Sequence, residues 1–321
     1  MILGTGRALP KRVLTNADLE KIVDTSDEWI RERTGIERRY IADESDTTSA
    51  LCAAAGRAAL QEANLSADKI DAIILGTVTG DVTFPSTACY VQEMLGATNA
   101  AAFDIAAACT GFIYGLAMAD SLIASGKAQH VLVIGGEILS RITDWTDRAT
   151  CVLFGDAAGA VVVGPSDGER GIIDTYMKSD GRLAHLLHMP GGGTKVPTDV
   201  ALAEKMMFLR MEGREVFKHA VTAMGDAAER ILAKNNLTGE EVDLLIPHQA
   251  NLRIINATAK RVGMPLEKVY VNVNNYGNTS AASIPIAMNE ALAIGRLKKG
   301  SRCLIVAFGG GFTWGAAILQ F

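Results

Sequence analysis

The chain has 321 residues, of which 49% are hydrophobic and 21% are charged, and its formal net charge at pH 7 is −5. This apolar fraction is large enough to build a sizeable core, so the composition excludes an intrinsically disordered protein. The acidic balance argues against nucleic acid as a partner, because nucleic-acid-binding domains usually carry a basic surface. Since no stretch of about 18 uncharged apolar residues occurs, we expect no membrane span and no membrane partner.

The cysteine content indicates a reducing compartment. The five cysteines are Cys52, Cys89, Cys109, Cys151 and Cys303. Their odd number and the lack of a CxxC pair predict neither a disulfide framework nor a zinc site. The first residues, Met1–Gly6, are typical of a strand and turn and not of a signal peptide. We therefore expect a cytoplasmic protein without a bound metal.

Segments with helical and strand character alternate along the chain. In chain order they are short surface helices within 16–33, a helix at 48–63, strands at 72–75 and 102–105, a helix at 113–124, strands at 131–134 and 171–176, a helix at 214–233, strands at 244–247 and 269–273, a helix at 281–293, and strands at 304–306 and 316–319. Strands that alternate with helices of this length predict an α/β fold, with parallel-type sheets covered by helices.

The sequence contains an internal repeat that relates its first and second halves. The segment 64–75 returns as 236–247, with Asn, Leu, Ser/Thr, Ile/Val and Asp in register at an offset of 172 residues. The strand 131–134 matches 303–306 at the same offset. One such match can arise by chance, but agreement at one offset favours a duplicated domain over a short-period array.

The duplication predicts two α/β halves. A polar and glycine-rich segment, 165–200, lies between the repeated parts and is the expected connection. We therefore predict an N-terminal half at 1–165 and a C-terminal half at 166–321, with ligands bound where the strands of the two halves end.

Cys109 lies between a predicted strand and a predicted helix, among alanines and next to Gly111. The N-terminus of a helix carries a partial positive charge, so this position favours a thiolate over a thiol. Small neighbours would let a substrate carbonyl approach the sulfur. The alternative is that Cys109 is a buried small hydrophobic residue, as most free cysteines are.

The second copy places two polar residues at comparable points. Asn278 follows the predicted strand 269–273 and occupies nearly the position that Cys109 has in the first copy. His248 comes directly after the strand that Pro247 ends. A histidine there is often only structural, but a cysteine nucleophile with a histidine acid/base is a recurrent arrangement for acyl transfer.

Three glycines, Gly309–Gly311, follow another predicted strand. Glycines let the backbone approach a ligand closely, so their N–H groups can face a developing oxyanion. A tight hairpin into the last strand explains the same glycines, and both interpretations can hold together.

These residues carry a family resemblance. The motifs are Asp27–Ile30 with Arg33–Ile36, Cys109–Phe112, Phe154–Gly159, Pro247–Asn251, Asn275–Ser280 and the glycine run 309–311. The chain resembles the β-ketoacyl-acyl-carrier-protein synthase III family, the initiating condensing enzymes of bacterial fatty-acid synthesis, over essentially its whole length. The resemblance implies a thiolase-like fold with layered α-β-α-β-α architecture and a homodimer.

The resemblance also implies a decarboxylating Claisen condensation. Cys109 attacks a short acyl-CoA such as acetyl-CoA, and the acyl-enzyme meets malonyl-acyl carrier protein to give 3-oxoacyl-carrier protein, CO2 and CoA. The backbone N–H groups of Cys109 and Gly310 are the expected oxyanion donors. His248 and Asn278 would stabilise the charge that forms on decarboxylation. The CoA thioester is a substrate, and no cofactor is expected.

Substrate contacts follow from the same resemblance. Matching positions for CoA are Thr25, Trp29, Arg33, Arg148, Gly213 and Asn251, with Trp29 and Arg148 enclosing the adenine. Arg214 stands where the family often has asparagine, so the sequence leaves its role open. Phe84 matches the residue that reaches from the partner subunit to bound the acyl pocket.

Basic residues on two predicted helices could receive the acidic carrier protein. They are Lys218, Arg253, Lys260 and Arg261. Complementary charge accelerates such encounters, whereas a solvated helix face is the simpler explanation of these charges.

Three other functions compete. A starter acyltransferase of polyketide or quinolone biosynthesis would share the catalytic trio and differ in substrate. A papain-like peptidase also has Cys, His and Asn in this order, but it should show tryptophan beside its cysteine, where this chain has Thr110-Gly111. A catalytically silent binding protein would have no need of the intact trio.

Overall fold

The computed structural model describes all 321 residues and has thirteen strands and eleven α-helices. The strands are β1 (Ile2–Ala8), β2 (Arg12–Thr15), β3 (Arg38–Ile41), β4 (Ala72–Gly76), β5 (Ala101–Ile105), β6 (Val131–Glu137), β7 (Ala157–Val163), β8 (Gly171–Ser179), β9 (Leu187–His188), β10 (Arg210–Met211), β11 (Leu244–Pro247), β12 (Arg302–Gly309) and β13 (Thr313–Gln320). The helices are α1 (Asn16–Leu19), α2 (Asp27–Thr34), α3 (Thr48–Glu62), α4 (Thr87–Leu95), α5 (Gly111–Ala124), α6 (Arg148–Cys151), α7 (Thr198–Ala203), α8 (Gly213–Lys234), α9 (Leu252–Arg261), α10 (Val273–Tyr276) and α11 (Ser283–Ala293). Short 3-10 turns lie at Ala67–Lys69, Ala108–Thr110, Leu139–Arg141, Gly181–Leu186, Gly239–Glu241, Leu266–Lys268 and Ser280–Ala282.

Two main sheets repeat one topology. The first has the order β1-β7-β6-β4-β5 and the second the order β8-β13-β12-β11. In the first sheet β4 and β6 are parallel, whereas β7 is antiparallel to both of its neighbours, β6 and β1. In the second sheet β11 and β12 are parallel, whereas β13 is antiparallel to both of its neighbours, β12 and β8. The α/β class and the paired sheets confirm the predicted fold class. The predicted boundary at residue 165 falls in the connection between β7 and β8.

The helices and sheets form five layers. Helices α3 and α4 cover the outer face of the first sheet, α5 and α11 lie between the sheets, and α8 and α9 cover the second sheet. Along β6, Leu132 and Ile134 face the outer core while Val131 and Val133 face the central one. This alternation arises because successive side chains of a strand point to opposite faces, and both faces are covered by helices. Not one helix combines the length and the apolar character needed to span a bilayer.

The predicted strand at 269–273 is wrong. One isolated parallel bridge joins Val269 to Leu245, and the chain then turns into α10. The side chain of Gln249 replaces the missing ladder: its Oε1 accepts from the N–H groups of Asn272 and Val273, and its Nε2 donates to the carbonyl of Tyr270. A buried carboxamide can satisfy these backbone groups as a neighbouring strand would.

The two copies share a strained turn. Ala108 and Ser280, 172 positions apart, both have a left-handed backbone, with φ of 45° and 50°, and each begins the 3-10 turn that leads into α5 or α11. The true counterpart of Cys109 is therefore Ala281. Asn278 comes three residues earlier, so its predicted near-equivalence with Cys109 is corrected.

Each turn packs against the sheet of the other copy. A Cβ atom on Gly309, at the end of β12, would lie 2.6 Å from the backbone nitrogen of Cys109. In the same way a Cβ on Gly135, in β6, would overlap the carbonyl of Ala281. Glycine is required at both places because the backbones approach too closely for a side chain. Because each turn packs against the sheet of the other copy, the candidate functional residues of both copies lie close together.

Candidate active site

One cavity of about 380 Å³ contains residues from both copies. Cys109, His248 and Asn278 all line it, together with Gly310 and a majority of apolar side chains. Cys109, His248 and Gly310 lie beyond the carboxyl ends of β5, β11 and β12, as ligand sites of open α/β sheets do, whereas Asn278 follows α10. The structure thus brings together the three side chains that the sequence analysis singled out.

Cys109 lies in the 3-10 turn and is 9% exposed. Burial raises the pKa of its thiol to about 12, and the nearby Ser280 hydroxyl opposes that shift without cancelling it. The expectation that the helix end would favour the thiolate is therefore wrong for the protein without substrate. Removing a thiolate from water is unfavourable, and this cost opposes the stabilisation that a helix end would give.

His248 is buried and oriented by its neighbours. Its Nδ1 lies 2.7 Å from the hydroxyl of Ser283, which also accepts a hydrogen bond from the backbone N–H of Gln249. With Nδ1 engaged, Nε2 remains for the cavity. Burial lowers the pKa of the imidazole to about 3, so the ring is neutral at physiological pH. When Ser283 donates to Nδ1, the ring proton is on Nε2.

The amide of Asn278 has a defined orientation. Its Oδ1 accepts a hydrogen bond from the backbone N–H of Ser280 at 2.9 Å. The Nδ2 group is consequently left to donate toward the cavity. The backbone of Asn278 is held as well, because it donates to the carbonyl of Leu153 and accepts from the N–H of Gly155.

The glycine run forms the hairpin between β12 and β13, and Gly310 faces the cavity. The hydroxyls of Thr313, at the start of β13, and of Thr110, next to Cys109, lie 2.7 Å apart, and both lie within hydrogen-bonding distance of the carbonyl of Ala107. The hairpin and the close approach of backbone to the cavity therefore occur together.

The predicted CoA residues form a continuous path to the surface. The Arg148 guanidinium lies over the ring of Trp29, with Cζ 5.0 Å from the centroid, and that of Arg33 lies at 5.5 Å. Asn251 caps α9, donates to the carbonyl of Arg33 at 3.0 Å, and lines the cavity. Gly213 begins α8 and also lines it.

The remaining residues that the sequence analysis named are Thr25, Arg214 and Phe84. The hydroxyl of Thr25 is buried without a hydrogen-bond partner, and the guanidinium of Arg148 donates to the carbonyl of the preceding Asp24 at 2.9 Å. Arg214 is exposed beside Gly213. Phe84 is 84% exposed and does not line the cavity of its own chain.

The four basic residues differ in availability. Arg253 lies over the ring of Phe217, which lines the cavity, and Lys218 follows that phenylalanine on α8. Both are exposed, as is Lys260. Arg261 is instead paired with Asp226 and Glu229 on α8 and donates to the carbonyl of Thr222. Its charge is compensated within the chain, so the structure does not support including it among the carrier-protein contacts.

The sequence analysis missed several polar residues at this site. Ser283 orients His248, and Ser280 lies in the cavity with a buried hydroxyl. Glu137, at the end of β6, is fully buried; its carboxylate accepts from the hydroxyls of Thr77 and Thr79, and burial raises its pKa to about 7. A glutamate that ends a strand of otherwise apolar residues was the available signal. No group of three or more His, Cys, Asp or Glu side chains is arranged to hold a metal ion.

Comparison with known proteins gives one family. The sequence matches the family described as 3-oxoacyl-[acyl-carrier-protein (ACP)] synthase III over residues 103–181, and its C-terminal part over residues 232–321. It is 53% identical, over all of this chain and 97% of the relative, to the β-ketoacyl-[acyl-carrier-protein] synthase III of Caldanaerobacter subterraneus.

Solved structures extend the likeness to the fold. The 3-oxoacyl-[acyl-carrier-protein] synthase III of Aquifex aeolicus matches with a TM-score of 0.93 and 54% identity, covering 100% of this chain and 99% of that one. The priming β-ketosynthase of the R1128 polyketide pathway matches with a TM-score of 0.92 and 36% identity, covering 99% and 95%.

Fold and site together define a condensing acyltransferase of the thiolase superfamily, with a cysteine from one copy and a histidine and an asparagine from the other. Within that class, the chain belongs to the 3-oxoacyl-[acyl-carrier-protein] synthase III family.

Proposed function

We propose that this protein condenses a short acyl-CoA, with acetyl-CoA as the expected primer, with malonyl-acyl carrier protein, and so starts fatty-acid synthesis. The observation that carries the proposal is the shared cavity of Cys109, His248 and Asn278. A thiol nucleophile, an imidazole and an oriented amide donor are the groups that thioester transfer and decarboxylation require.

In the first step the Cys109 sulfur attacks the acyl carbonyl. A C–S bond to Cys109 forms, the C–S bond to CoA breaks, and the thiol proton leaves with the CoA thiolate as CoA-SH. Negative charge appears on the carbonyl oxygen in between. The backbone N–H groups of Cys109 and Gly310 are the proposed donors, since both residues line the cavity where β12 meets the nucleophile turn.

In the second step a malonyl thioester loses CO2. The electron pair of the broken C–C bond is first held as an enolate, whose oxygen would accept hydrogen bonds from Nε2–H of His248 and Nδ2–H of Asn278. Each such donor contributes on the order of 3 kcal/mol to the transition state. The carbanion then attacks the acyl-enzyme carbonyl: the new C–C bond forms, the C–S bond to Cys109 breaks, and the released thiolate takes up a proton from water to restore the thiol.

The CoA arm would follow the path from the cavity to the surface. Asn251 and Gly213 would contact pantetheine near the cavity, with Arg33 and Thr25 toward the phosphates. Adenine would enter between Trp29 and Arg148, whose guanidinium Cζ lies 5.0 Å from the centroid of the ring, because an aromatic ring and a guanidinium can both stack on a base. The proposal needs no resident cofactor.

Two macromolecular contacts belong to the proposal. A second copy of the chain would cover Phe84 and use it to bound the acyl pocket, as the family resemblance implies; at 84% exposed, this side chain is free to make that contact. The acidic carrier protein would dock at Lys218, Arg253 and Lys260, of which Arg253 contacts the cavity-lining Phe217 and Lys218 follows it in sequence. We therefore expect Arg253→Glu to raise the KM for malonyl-carrier protein about tenfold while acyl-CoA loading is unchanged.

The matched control for docking is Lys69→Glu, an exposed charge reversal in the first half. It should leave both substrates unaffected. If Arg253→Glu slowed loading as much as condensation, the docking surface would be refuted.

The function is tested by incubating the protein with radiolabelled acetyl-CoA and then with malonyl-carrier protein. We expect label on the protein after the first addition and labelled 3-oxoacyl-carrier protein after the second. Labelled protein that malonyl-carrier protein does not discharge would contradict the proposed second step.

A second candidate is starter synthesis for a polyketide. It is supported by the 36% identity to the R1128 priming ketosynthase. The two functions differ in the carrier protein used, so we expect a fatty-acid carrier protein to be preferred over a polyketide carrier protein in a direct competition assay.

A further inference from the structure

Arg39 is a buried cation without an anionic partner. It is completely inaccessible to solvent, and its guanidinium contacts only neutral oxygens. Nη1 donates to Oδ1 of Asn16 at 2.8 Å, Nη2 donates to the carbonyl of Val152 at 2.7 Å, and Nε has no partner. Burial lowers the pKa of Arg39 to about 10. Because an unpaired buried charge is unfavourable, this side chain requires an explanation beyond packing.

The stem of Arg39 lies under the segment that carries Asn278. A Cβ atom on Gly155 would be 3.0 Å from the Cβ of Arg39, and one on Gly277 would be 3.3 Å from it. These glycines flank the bridge between Phe154 and Asn278. The bridge consists of the bonds from Asn278 N–H to the Leu153 carbonyl (2.8 Å) and from Gly155 N–H to the Asn278 carbonyl (3.0 Å).

The guanidinium of Arg39 points away from Asn278, toward the helices that carry the proposed adenine contacts of CoA. Its partner Asn16 donates through Nδ2 to Asp27, the first residue of α2, which carries Trp29. Its other partner, Val152, is the C-cap of α6, which begins with Arg148. Arg39 therefore connects α2, which carries Trp29, and α6, which carries Arg148, to the backbone bridge at Asn278.

We propose that Arg39 is a positioning residue for the decarboxylation step: it holds the Asn278 segment in place and fixes it relative to α2 and α6. The inference rests on the proposed function of Asn278. Cys109 lies on the β5–α5 turn, outside the contacts of Arg39, so the two half-reactions should depend on Arg39 to different extents.

The test compares Arg39→Met with Arg39→Lys. Methionine keeps apolar volume and removes the planar donor fork; lysine keeps the charge, but its ammonium cannot reproduce the fork that spans Asn16 and Val152. For both we expect decarboxylation of malonyl-carrier protein to fall on the order of 100-fold, because a displacement near 1 Å has that effect. The maximal rate of acyl loading should stay within about threefold of wild type, while the KM for acyl-CoA rises.

Amide hydrogen exchange gives a readout that needs no substrate. In both variants the N–H of Asn278 should exchange faster than in wild type, whereas amides of α5 should keep their protection. Arg12→Met is the matched control, because Arg12 lies on the same β2–β3 ribbon and is exposed. It should change neither activity nor exchange. If Arg39→Met does not fold, Arg39→Lys carries the test alone.

Wild-type exchange at Asn278 together with wild-type decarboxylation would overturn the inference. Equal losses of loading and decarboxylation would also overturn it, because they would indicate a general loss of structure. If wild type itself failed to condense the substrates, the proposed function would be refuted, and the exchange measurements would still decide whether Arg39 holds the Asn278 segment.

Discussion

The strand–turn–helix units of the two copies share a turn and differ in what precedes it. In the first copy β5 pairs with β4 and leads directly into the turn that carries Cys109. In the second copy the corresponding strand is reduced to one bridge, and α10 is inserted before the turn. Asn278 follows α10 and lies beside the loop at Leu153–Gly155, where its backbone N–H and its carbonyl are both hydrogen-bonded.

This difference separates two chemical tasks. The first copy presents a side chain from the turn itself, where backbone donors and a helix end are close to the sulfur. The second copy presents its polar groups from the segments before the turn, and fixes them through serines: Ser280 N–H orients Asn278 and Ser283 orients His248. In the proposed mechanism, one duplicated unit thus provides the nucleophile and the other provides oriented donors.

Removal of the nucleophile should have the largest effect. In Cys109→Ser the sulfur is replaced by a hydroxyl that is far less nucleophilic at neutral pH, so we expect acyl transfer to fall on the order of 10³-fold or more. Radiolabel from acetyl-CoA should be absent from the denatured variant. Cys303→Ser, which changes a buried cysteine outside the cavity, is the control and should retain the label. Equal labelling of Cys109→Ser and wild type would exclude Cys109 as the attachment point.

Removal of either hydrogen-bond donor of the second copy should have the next largest effect on activity. His248→Ala and Asn278→Ala each remove one proposed oxyanion donor, so we expect decarboxylation to fall about 10²- to 10³-fold. Acyl loading should be largely retained, because its donors come from the backbone. Rapid-quench measurements of CO2 release and of protein-bound label separate the two steps. Retained CO2 release in both variants would contradict the division of tasks between the copies.

The sequence predicts most of this arrangement because the relevant patterns are local. Continuous apolar runs define β6 and β12, and the 172-residue repeat pairs them. The segment 269–273 has an equally good strand pattern, yet it is not a strand, since its backbone groups are satisfied by a distant side chain, Gln249. The pKa of Cys109 and the pairing of Arg261 also depend on tertiary packing, which no local pattern contains.

The ionisation of Cys109 can be measured directly. Because burial raises the pKa of the thiol to about 12, the thiolate fraction should grow about tenfold for each pH unit across pH 7 to 9. The rate of alkylation by iodoacetamide should therefore keep rising through this range, when corrected for the rate with a model thiol. His248, neutral above about pH 3, should add no inflection near pH 6.5. A plateau below pH 8 would show that the helix end outweighs burial.

The side chain that replaces the lost strand can be tested through stability. Gln249→Leu leaves the N–H groups of Asn272 and Val273 buried and unpaired, so we expect the free energy of unfolding to fall by at least about 2 kcal/mol. Gln249→Glu keeps the acceptor and loses the donors to the carbonyls of Pro247 and Tyr270. Urea unfolding measures both.

The control for this experiment is Gln61→Leu, an exposed position on α3, which should change stability by no more than about 0.5 kcal/mol. If Gln249→Leu were as stable as this control, the carboxamide would not be what replaces the missing ladder.

The shared turn itself should respond in the smallest and most informative way. Ala108 and Ser280 adopt a left-handed backbone that costs a residue with a side chain about 1–2 kcal/mol, and glycine removes that cost while losing about 0.5–1 kcal/mol of chain entropy. Ala108→Gly should therefore raise the free energy of unfolding by up to about 1 kcal/mol, and Ser280→Gly should match it, since the Ser280 hydroxyl is buried without a protein partner in the free site. Thermal unfolding of the two variants side by side measures the difference. Equal stabilisation would mean that the two turns have the same backbone energetics, although the second copy lacks the strand that precedes the turn in the first copy. A loss of stability in Ser280→Gly alone would mean that the Ser280 hydroxyl helps to hold the donors of the second copy in the folded protein.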